Sequence, residues 1–190
     1  MSLAHTKKFV RECLRAYSGA MIAKVSGASS EIRADAEVVF RLIEAPIDPA
    51  PLKWLEEALP AKLPPALHAY LSIGFFRGPE AYEYCLPSVY DPDPLSGVKQ
   101  LLLCSELWPL GYVQFAHGQC GDPLCFDILR PSEGSEYPVL SFNHDLAPKE
   151  AWASRSALRP YRTEVATSFQ SLLRGICVPG AGPPPWSTTT

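Results

Sequence analysis

The chain has 190 residues and a formal net charge of −3, and 47% of its residues are hydrophobic, 11% aromatic and 19% charged. This apolar and weakly charged composition excludes a disordered chain. The 20 prolines, about twice the usual share, must therefore lie at the ends of helices and strands and in the turns of a packed fold. No apolar run reaches the roughly 18 residues of a membrane-spanning helix, which excludes a helical membrane protein.

Residues 1–47 are predicted to form an N-terminal helical extension. Apolar residues that recur every four positions indicate a first helix, which Gly27 ends; they are Phe9, Cys13, Tyr17, Met21 and Val25. Residues 31–44 leave two alternatives open. One alternative is a helix, one face of which would hold Ile32, Ala36, Phe40 and Ile43. The other is a strand, which suits the β-branched run that ends at Ile43.

Two short helices are predicted next. Asp48 is a suitable cap for a helix over about residues 51–59, and a proline stops this helix. A second helix over 66–71 follows, with Pro64 and Pro65 placed where prolines suit a first turn.

The middle of the chain changes to strands and turns. After a loop-rich stretch at 77–97 come four strand candidates, which are Val98–Leu103, Tyr112–Ala116, Leu124–Leu129 and Tyr137–Phe142. Their close turns indicate an antiparallel meander, a type of sheet that can bury one face and expose the other to water. A last helix is predicted around Thr163–Ile176, and a Pro-rich flexible tail covers 179–190. This order predicts a single α+β domain with N-terminal helices, a central mostly antiparallel sheet and a C-terminal helix.

Sequence patterns for catalysis are missing. No Gly-x-Ser-x-Gly elbow, Gly-x-x-x-x-Gly-Lys loop or Gly-x-Gly-x-x-Gly turn occurs. Asp122 and Asp127 are paired carboxylates of the kind used in acid–base catalysis, but an aspartate after Gly121 is also ordinary turn chemistry. We therefore predict a non-enzymatic protein with no catalytic residues and no cofactor.

A small group of side chains is a candidate zinc site or thiolate pair; it comprises His117, Cys120, Cys125 and His144. The two cysteines are four positions apart, and no second cysteine pair accompanies them. If Leu124 and Phe126 face the core, Cys125 points to the other face of the strand. No metal ligand is predicted, and a zinc-binding module or metal-dependent enzyme stays an alternative.

Cysteine usage and the N-terminus indicate the compartment. The six cysteines are spread over a chain that is long enough to fold without disulfide bonds, and the first residues lack a secretory signal pattern. We therefore expect thiols that mostly act as small core residues, in a cytoplasmic protein.

Acidic residues concentrate in the middle of the chain. Residues 46–149 hold six Lys or Arg and thirteen Asp or Glu, whereas both flanking segments are net positive. This distribution argues against a nucleic-acid partner and fits either a basic protein partner or a solvated acidic surface. The stretch 80–94 adds tyrosines and prolines, and its partner-binding candidates are Tyr82, Glu83, Tyr84, Tyr90, Asp91 and Asp93. Tyrosines are enriched at interfaces, although they also cap cores with the hydroxyl exposed.

Four segments in this order resemble the SUKH superfamily, the Smi/Knr-type domain. The segment 52–74 is similar to its helix, Leu-Pro step and second helix, and 118–127 to its central Gly-Asp strand. The segment 138–145 resembles the following strand with its His-acid pair, and 165–173 the final helix with its Ser-Phe pair. One departure is Ile73-Gly74, which stands where the family has Asn-Gly.

The resemblance covers residues 48–178 and implies a non-enzymatic α+β domain. Bacterial members are immunity proteins that bind and neutralise polymorphic toxins, often nucleases, and fungal members regulate cell-wall synthesis. By the same resemblance the motif positions are Gly121, Asp122, Asp127, His144 and Asp145. We therefore expect an immunity protein with a basic toxin domain as its partner and no membrane partner. A regulatory scaffold of the same family without a toxin is the alternative.

Overall fold

The computed structural model describes residues 2–24, 26–81, 84–90, 93–118, 120–132 and 136–178. The α-helices of this part are α1 (Leu3–Lys24), α2 (Ser30–Phe40), α3 (Pro49–Ala58), α4 (Pro65–Leu71), α5 (Ser96–Leu102), α6 (Arg155–Leu158) and α7 (Phe169–Cys177). Short 3-10 helices cover Ser105–Leu110, Lys149–Ala153 and Arg159–Tyr161. The strands are β1 (Glu80–Ala81), β2 (Tyr84–Cys85), β3 (Tyr112–Gly118), β4 (Pro123–Asp127), β5 (Val139–Phe142) and β6 (Arg162–Ala166).

The described strands form one sheet in the order β1-β2-β3-β4-β5-β6, and every neighbouring pair is antiparallel. Four helices precede this meander and α7 follows it. The predicted α+β domain, with N-terminal helices, a central antiparallel sheet and a C-terminal helix, is therefore confirmed.

The helices predicted before the sheet form close to their expected positions. The Asp48 side chain accepts a hydrogen bond from the Ala50 N–H at 3.0 Å and so caps α3, while Pro65 occupies the first turn of α4. The ambiguous segment 31–44 is divided. It is helical as far as Phe40, and then extended, with Ile43 paired to Phe75 through two backbone hydrogen bonds of 2.9 Å.

The strand predicted at Val98–Leu103 is wrong, because this segment forms α5. Leu95, Val98 and Leu102 lie at helical spacing and are fully buried. The three successive leucines at 101–103 suit either structure, and packing of this apolar helix face against β3 favours the helix.

The C-terminal helix begins later than predicted. Residues 162–166 form β6, which pairs with β5, and the helix starts only at Phe169. Hydrogen bonds within residues 168–171 fix this later start. The Ser168 hydroxyl accepts from the Ser171 N–H, and the Ser171 hydroxyl accepts from the Ser168 N–H, both at 3.1 Å. This reciprocal capping box sets the first residue of α7.

The sheet is covered on both faces, which the sequence did not indicate. Leu124 and Phe126 of β4 enter a large core together with α1, α3, α4, α5 and α7. Cys125 of the same strand enters a second, smaller cluster with Leu140 and Leu158. Around β4 and β5 the second face is therefore buried as well, because the short helices before β3 and after β5 cover it.

Helix α1 belongs to the same core as the sheet. Val10, Cys13 and Leu14 are buried with residues of α4 and α7. The division at residue 47 thus corresponds to a change in sequence resemblance and not to a gap in packing. Neither α1 nor another described helix is long and apolar enough to cross a membrane.

Candidate functional site

The predicted partner-binding stretch lies at the β1 edge of the sheet. Strand β2 pairs with β1 on one side and with β3 on the other, and the segment after β2 crosses to the start of α5. Tyr82, Glu83 and Asp91 lie outside the described residues. Tyr84, Tyr90 and Asp93 are described, and they differ in exposure.

Tyr84 faces inward, whereas Tyr90 faces outward. The Tyr84 side chain retains only 5% of its accessible surface and belongs to the large core, which leaves little of it for a partner. Tyr90 is 54% exposed. Asp93 is also exposed, and its carboxylate lies 3.6 Å from the Lys99 ammonium on α5. Of the three described candidates, Tyr90 offers the largest open contact surface.

A cavity of about 400 Å³ lies beside Tyr90. Its walls come from β2 and the residues that follow it, from the first turns of α5, and from His117 near the end of β3. Both polar and apolar groups line it, including Ser88, Ser96 and Leu101. The edge therefore combines an exposed aromatic side chain with a concave surface.

Cys85 and His117 stand opposite each other in this cavity. They are paired residues of the antiparallel strands β2 and β3, and both line its wall. The His117 Nδ1 lies 2.9 Å from the Gly118 carbonyl oxygen. Since a carbonyl oxygen only accepts, Nδ1 carries the proton in the neutral ring and Nε2 carries the lone pair.

The motif residues Gly121, Asp122, His144 and Asp145 form a cluster at the β3–β4 turn. Asp122 Oδ1 accepts from the His144 backbone N–H at 2.9 Å and lies 2.7 Å from its Nδ1. The His144 Nε2 is 3.2 Å from an Asp145 oxygen. The hydrogen bond to Asp122, and then the charge of Asp145, raise the pKa of His144 above its ordinary value. Gly121 has φ +88°, a conformation that favours glycine.

The fifth motif residue, Asp127, lies elsewhere, at the end of β4. Its side chain is fully buried and accepts two bonds from Arg155, at 2.9 and 2.8 Å, and one from Arg130 at 2.8 Å. Burial by itself raises the pKa of Asp127, but these hydrogen bonds outweigh it and hold the pKa below its ordinary value. The Arg155 guanidinium also stacks 4.5 Å from the Tyr112 ring centre. With its oxygens committed to two arginines, Asp127 is suited to a structural role and not to acid–base catalysis.

The four candidate zinc ligands do not converge on a common point. Cys125 is fully buried in the second cluster, whereas Cys120 is exposed at the β3–β4 turn. Both ring nitrogens of His144 face carboxylates, and His117 lies in the cavity wall. Within the described ranges, no group of three His, Cys, Asp or Glu side chains is placed to hold a metal ion.

Comparisons with protein-family models, curated proteins and solved structures find no match for this chain. The SUKH resemblance therefore rests on the sequence motifs and stays a prediction.

Two arrangements were missed at the sequence level. The arginines that hold Asp127 come from positions 130 and 155, and no local spacing links the second of them to the aspartate. The pairing of Cys85 with His117 depends on the register of β2 against β3. In the sequence, the cysteines closest to His117 are Cys120 and Cys125, so the sequence favours these as its thiol partners.

Proposed function

We propose that this chain is a non-enzymatic protein-binding domain of the immunity type, which binds a basic protein through the edge formed by Tyr90, Asp93 and the cavity beside them. The observation that carries the proposal is Tyr90, a tyrosine 54% exposed at the rim of a cavity of about 400 Å³. Tyrosine provides a large contact area with few rotatable bonds, and a neighbouring pocket can receive an anchoring side chain of the partner.

Charge supports a basic partner. The middle of the chain, which contains this edge, holds thirteen acidic against six basic residues. An excess of one sign of charge accelerates encounter with a partner of the opposite sign. Asp93 is exposed at the edge, and its contact with Lys99 at 3.6 Å leaves the carboxylate open to a second cation.

The motif carboxylates support a non-enzymatic role. Asp127 is held by Arg155 and Arg130, and Asp122 by the backbone and ring of His144. A catalytic carboxylate needs to reach a substrate proton, and these two are engaged within the protein. That the partner is a toxin rests on the SUKH resemblance, and a regulatory scaffold uses the same edge equally well.

The test is binding of the purified chain to the product of a neighbouring toxin gene, measured by calorimetry together with neutralisation of the toxin. We expect Tyr90→Ala to raise the Kd about tenfold or more, as removal of an interface tyrosine commonly does. Asp93→Asn should weaken binding less and reduce its dependence on salt. Tyr161→Ala and Asp145→Asn, at the other end of the described sheet and at the motif cluster, are the matched controls.

Two results separate the alternatives. Unchanged affinity in Tyr90→Ala contradicts the proposed edge even if a toxin binds, and binding without neutralisation favours the scaffold. One zinc per chain in elemental analysis of the purified protein, with loss of binding after chelation, contradicts a metal-independent binding domain.

A further inference from the structure

We propose that Cys85 and His117 form a thiol site that reacts with hydroperoxides, so that Cys85 is the oxidation-sensitive cysteine of this chain. This inference goes beyond the proposed binding role and does not depend on it. It rests on strand register, on the shared cavity and on the hydrogen bond that orients the imidazole.

Register brings the two side chains together. Cys85 and His117 are directly opposite residues of antiparallel strands. Side chains of such a pair project from the same face of the sheet, with Cβ atoms about 4.5–5.5 Å apart. This Cβ separation allows a thiol and an imidazole to exchange a proton, directly or through one water, when their side chains turn toward each other.

The cavity gives a small reagent access to the pair. It measures about 400 Å³, and Cys85 and His117 both line it. Cys85 is partly exposed and His117 is exposed, so neither is sealed in the core. The hydroxyl-bearing residues Ser88, Ser96 and Tyr90 share the wall and provide polar groups for an oxygen-rich substrate.

The imidazole is oriented for the task. Its Nδ1 donates to the Gly118 carbonyl oxygen at 2.9 Å, which fixes both the tautomer and one side of the ring. The unprotonated Nε2 is therefore the nitrogen that can take the thiol proton. Activated nucleophiles have this arrangement, in which a base beside the thiol is itself oriented by a third group.

The buried cysteines are unsuited to the same reaction. Burial raises the pKa of Cys13 to about 11 and raises the pKa values of Cys125 and Cys177 above the ordinary thiol value. Since the thiolate is the reactive form, these three react slowly. Cys104 is partly exposed and Cys120 is exposed, and they are the internal comparison for Cys85.

The reaction balances without a further reagent. His117 Nε2 takes the proton of the Cys85 thiol, and the thiolate sulfur attacks one oxygen of the hydroperoxide. The S–O bond forms as the O–O bond breaks, and the leaving oxygen takes the proton from His117. Cys85 becomes a sulfenic acid, oxidised by two electrons, and the hydroperoxide is reduced to water or an alcohol.

The experiment exposes the reduced full chain to hydrogen peroxide at pH 7 and traps sulfenic acid with dimedone. Peptide mass spectrometry then gives a rate for each cysteine. We expect Cys85 to be labelled at least about tenfold faster than Cys104 or Cys120, because the neighbouring imidazole increases the share of reactive thiolate. Equal or faster labelling of Cys104 or Cys120 would overturn the proposal.

Two further measurements assign the effect to His117. In His117→Gln, the labelling rate of Cys85 should fall about tenfold while that of Cys120 stays the same. In the unaltered chain, iodoacetamide alkylation of Cys85 should rise at a lower pH than that of Cys120. An unchanged rate in His117→Gln, or an alkylation profile of Cys85 at the ordinary thiol value, contradicts the pairing. The second result does not depend on how the variant folds.

Discussion

At the scale of single residues, Asp127 connects the end of β4 to two distant parts of the chain. Arg155 binds both of its oxygens from α6, and Arg130 binds one of them while also contacting Glu164 of β6 at 2.9 Å. Arg162 approaches the same carboxylate to 4.0 Å. A buried carboxylate that is fully paired is tolerated, but loss of its charge leaves the arginines uncompensated.

We therefore expect Asp127→Asn to lower the free energy of unfolding by about 3 kcal/mol at pH 7, measured by urea denaturation. Asp35→Asn, at an exposed carboxylate of α2, is the control and should change stability by less than about 0.5 kcal/mol. A loss in Asp127→Asn no larger than that of the control would contradict the structural role.

Low pH should reduce the difference in unfolding free energy between the unaltered protein and Asp127→Asn. The pKa of Asp127 is lowered from 3.8, so its contribution to stability is present above that value and is lost as the pH falls further, through the folded-state pKa. The unaltered protein and Asp127→Asn should therefore approach each other in stability at low pH. A gap that stays constant as the pH falls below 3.8 would contradict this linkage.

At the scale of elements, helices α4 and α7 begin beside one carboxylate. Glu136, just before β5, lies beside the backbone N–H groups of Ala66 and Phe169, and their attraction for its carboxylate lowers its pKa. These residues lie in the first turns of the two helices, where backbone donors lack intrahelical partners. One oxygen of Glu136, Oε2, is buried without a hydrogen-bond partner in the described structure. Burial raises the pKa of this carboxyl above its ordinary value, although the two neighbouring N–H groups lower it.

We expect Glu136→Ala to destabilise the protein by about 2 kcal/mol at pH 7, because the backbone N–H groups at the start of two helices lose the carboxylate beside them. Glu136→Gln keeps an acceptor oxygen and should cost less. The measurement is thermal or urea unfolding of both variants and of Glu37→Ala, at an exposed position of α2, as the control. Equal stability of Glu136→Ala and Glu37→Ala would show that Glu136 does not cap the helices.

The pH dependence at Glu136 runs opposite to that at Asp127. Because the folded-state pKa is raised above 4.5, the contribution from Glu136 is fully present below that value and declines as the pH rises through the folded-state pKa. Glu136→Gln removes this decline. The free energy of unfolding should therefore be measured for the unaltered protein and for Glu136→Gln from pH 4 to 7. As the pH rises, we expect the unaltered protein to lose stability relative to Glu136→Gln.

At the scale of the whole molecule, α1 and the sheet share one hydrophobic core. Leu14 is 3% exposed in the same cluster as Leu67 of α4 and Leu172 of α7. Helix α2 differs, since Ala36 is its one buried residue and Val38 is 77% exposed. The long first helix is therefore part of the folding unit, whereas α2 contributes little to it.

We expect Leu14→Ala to lower the free energy of unfolding by about 3 kcal/mol through the cavity it leaves. Far-UV circular dichroism and tryptophan fluorescence should report a single transition at the same midpoint. Val38→Ala on α2 is the control and should have little effect. A separate early transition in Leu14→Ala, with the main midpoint unchanged, would show that α1 folds independently of the sheet.

The sequence by itself determined the elements that local chemistry specifies. The four-residue apolar spacing around Cys13 predicts α1, and the cap at Asp48 predicts the start of α3. Short segments of alternating apolar and polar residues, bounded by turn residues, predict β3, β4 and β5. The short distances between these segments predict the antiparallel meander. These signals act over a few residues, so they are readable without knowledge of the packing.

Only the tertiary structure decided what depends on distant contacts. The run at 98–103 suits a strand or a helix until its apolar side is placed against β3, and residues 162–166 become a strand because β5 provides the pairing partner. The same is true of the candidate sites. Arg155 reaches Asp127 from 28 residues away, and Cys85 is paired with His117 only through strand register. The sequence determines which side chains are present, but the distances between residues far apart in the chain are determined only when the chain packs.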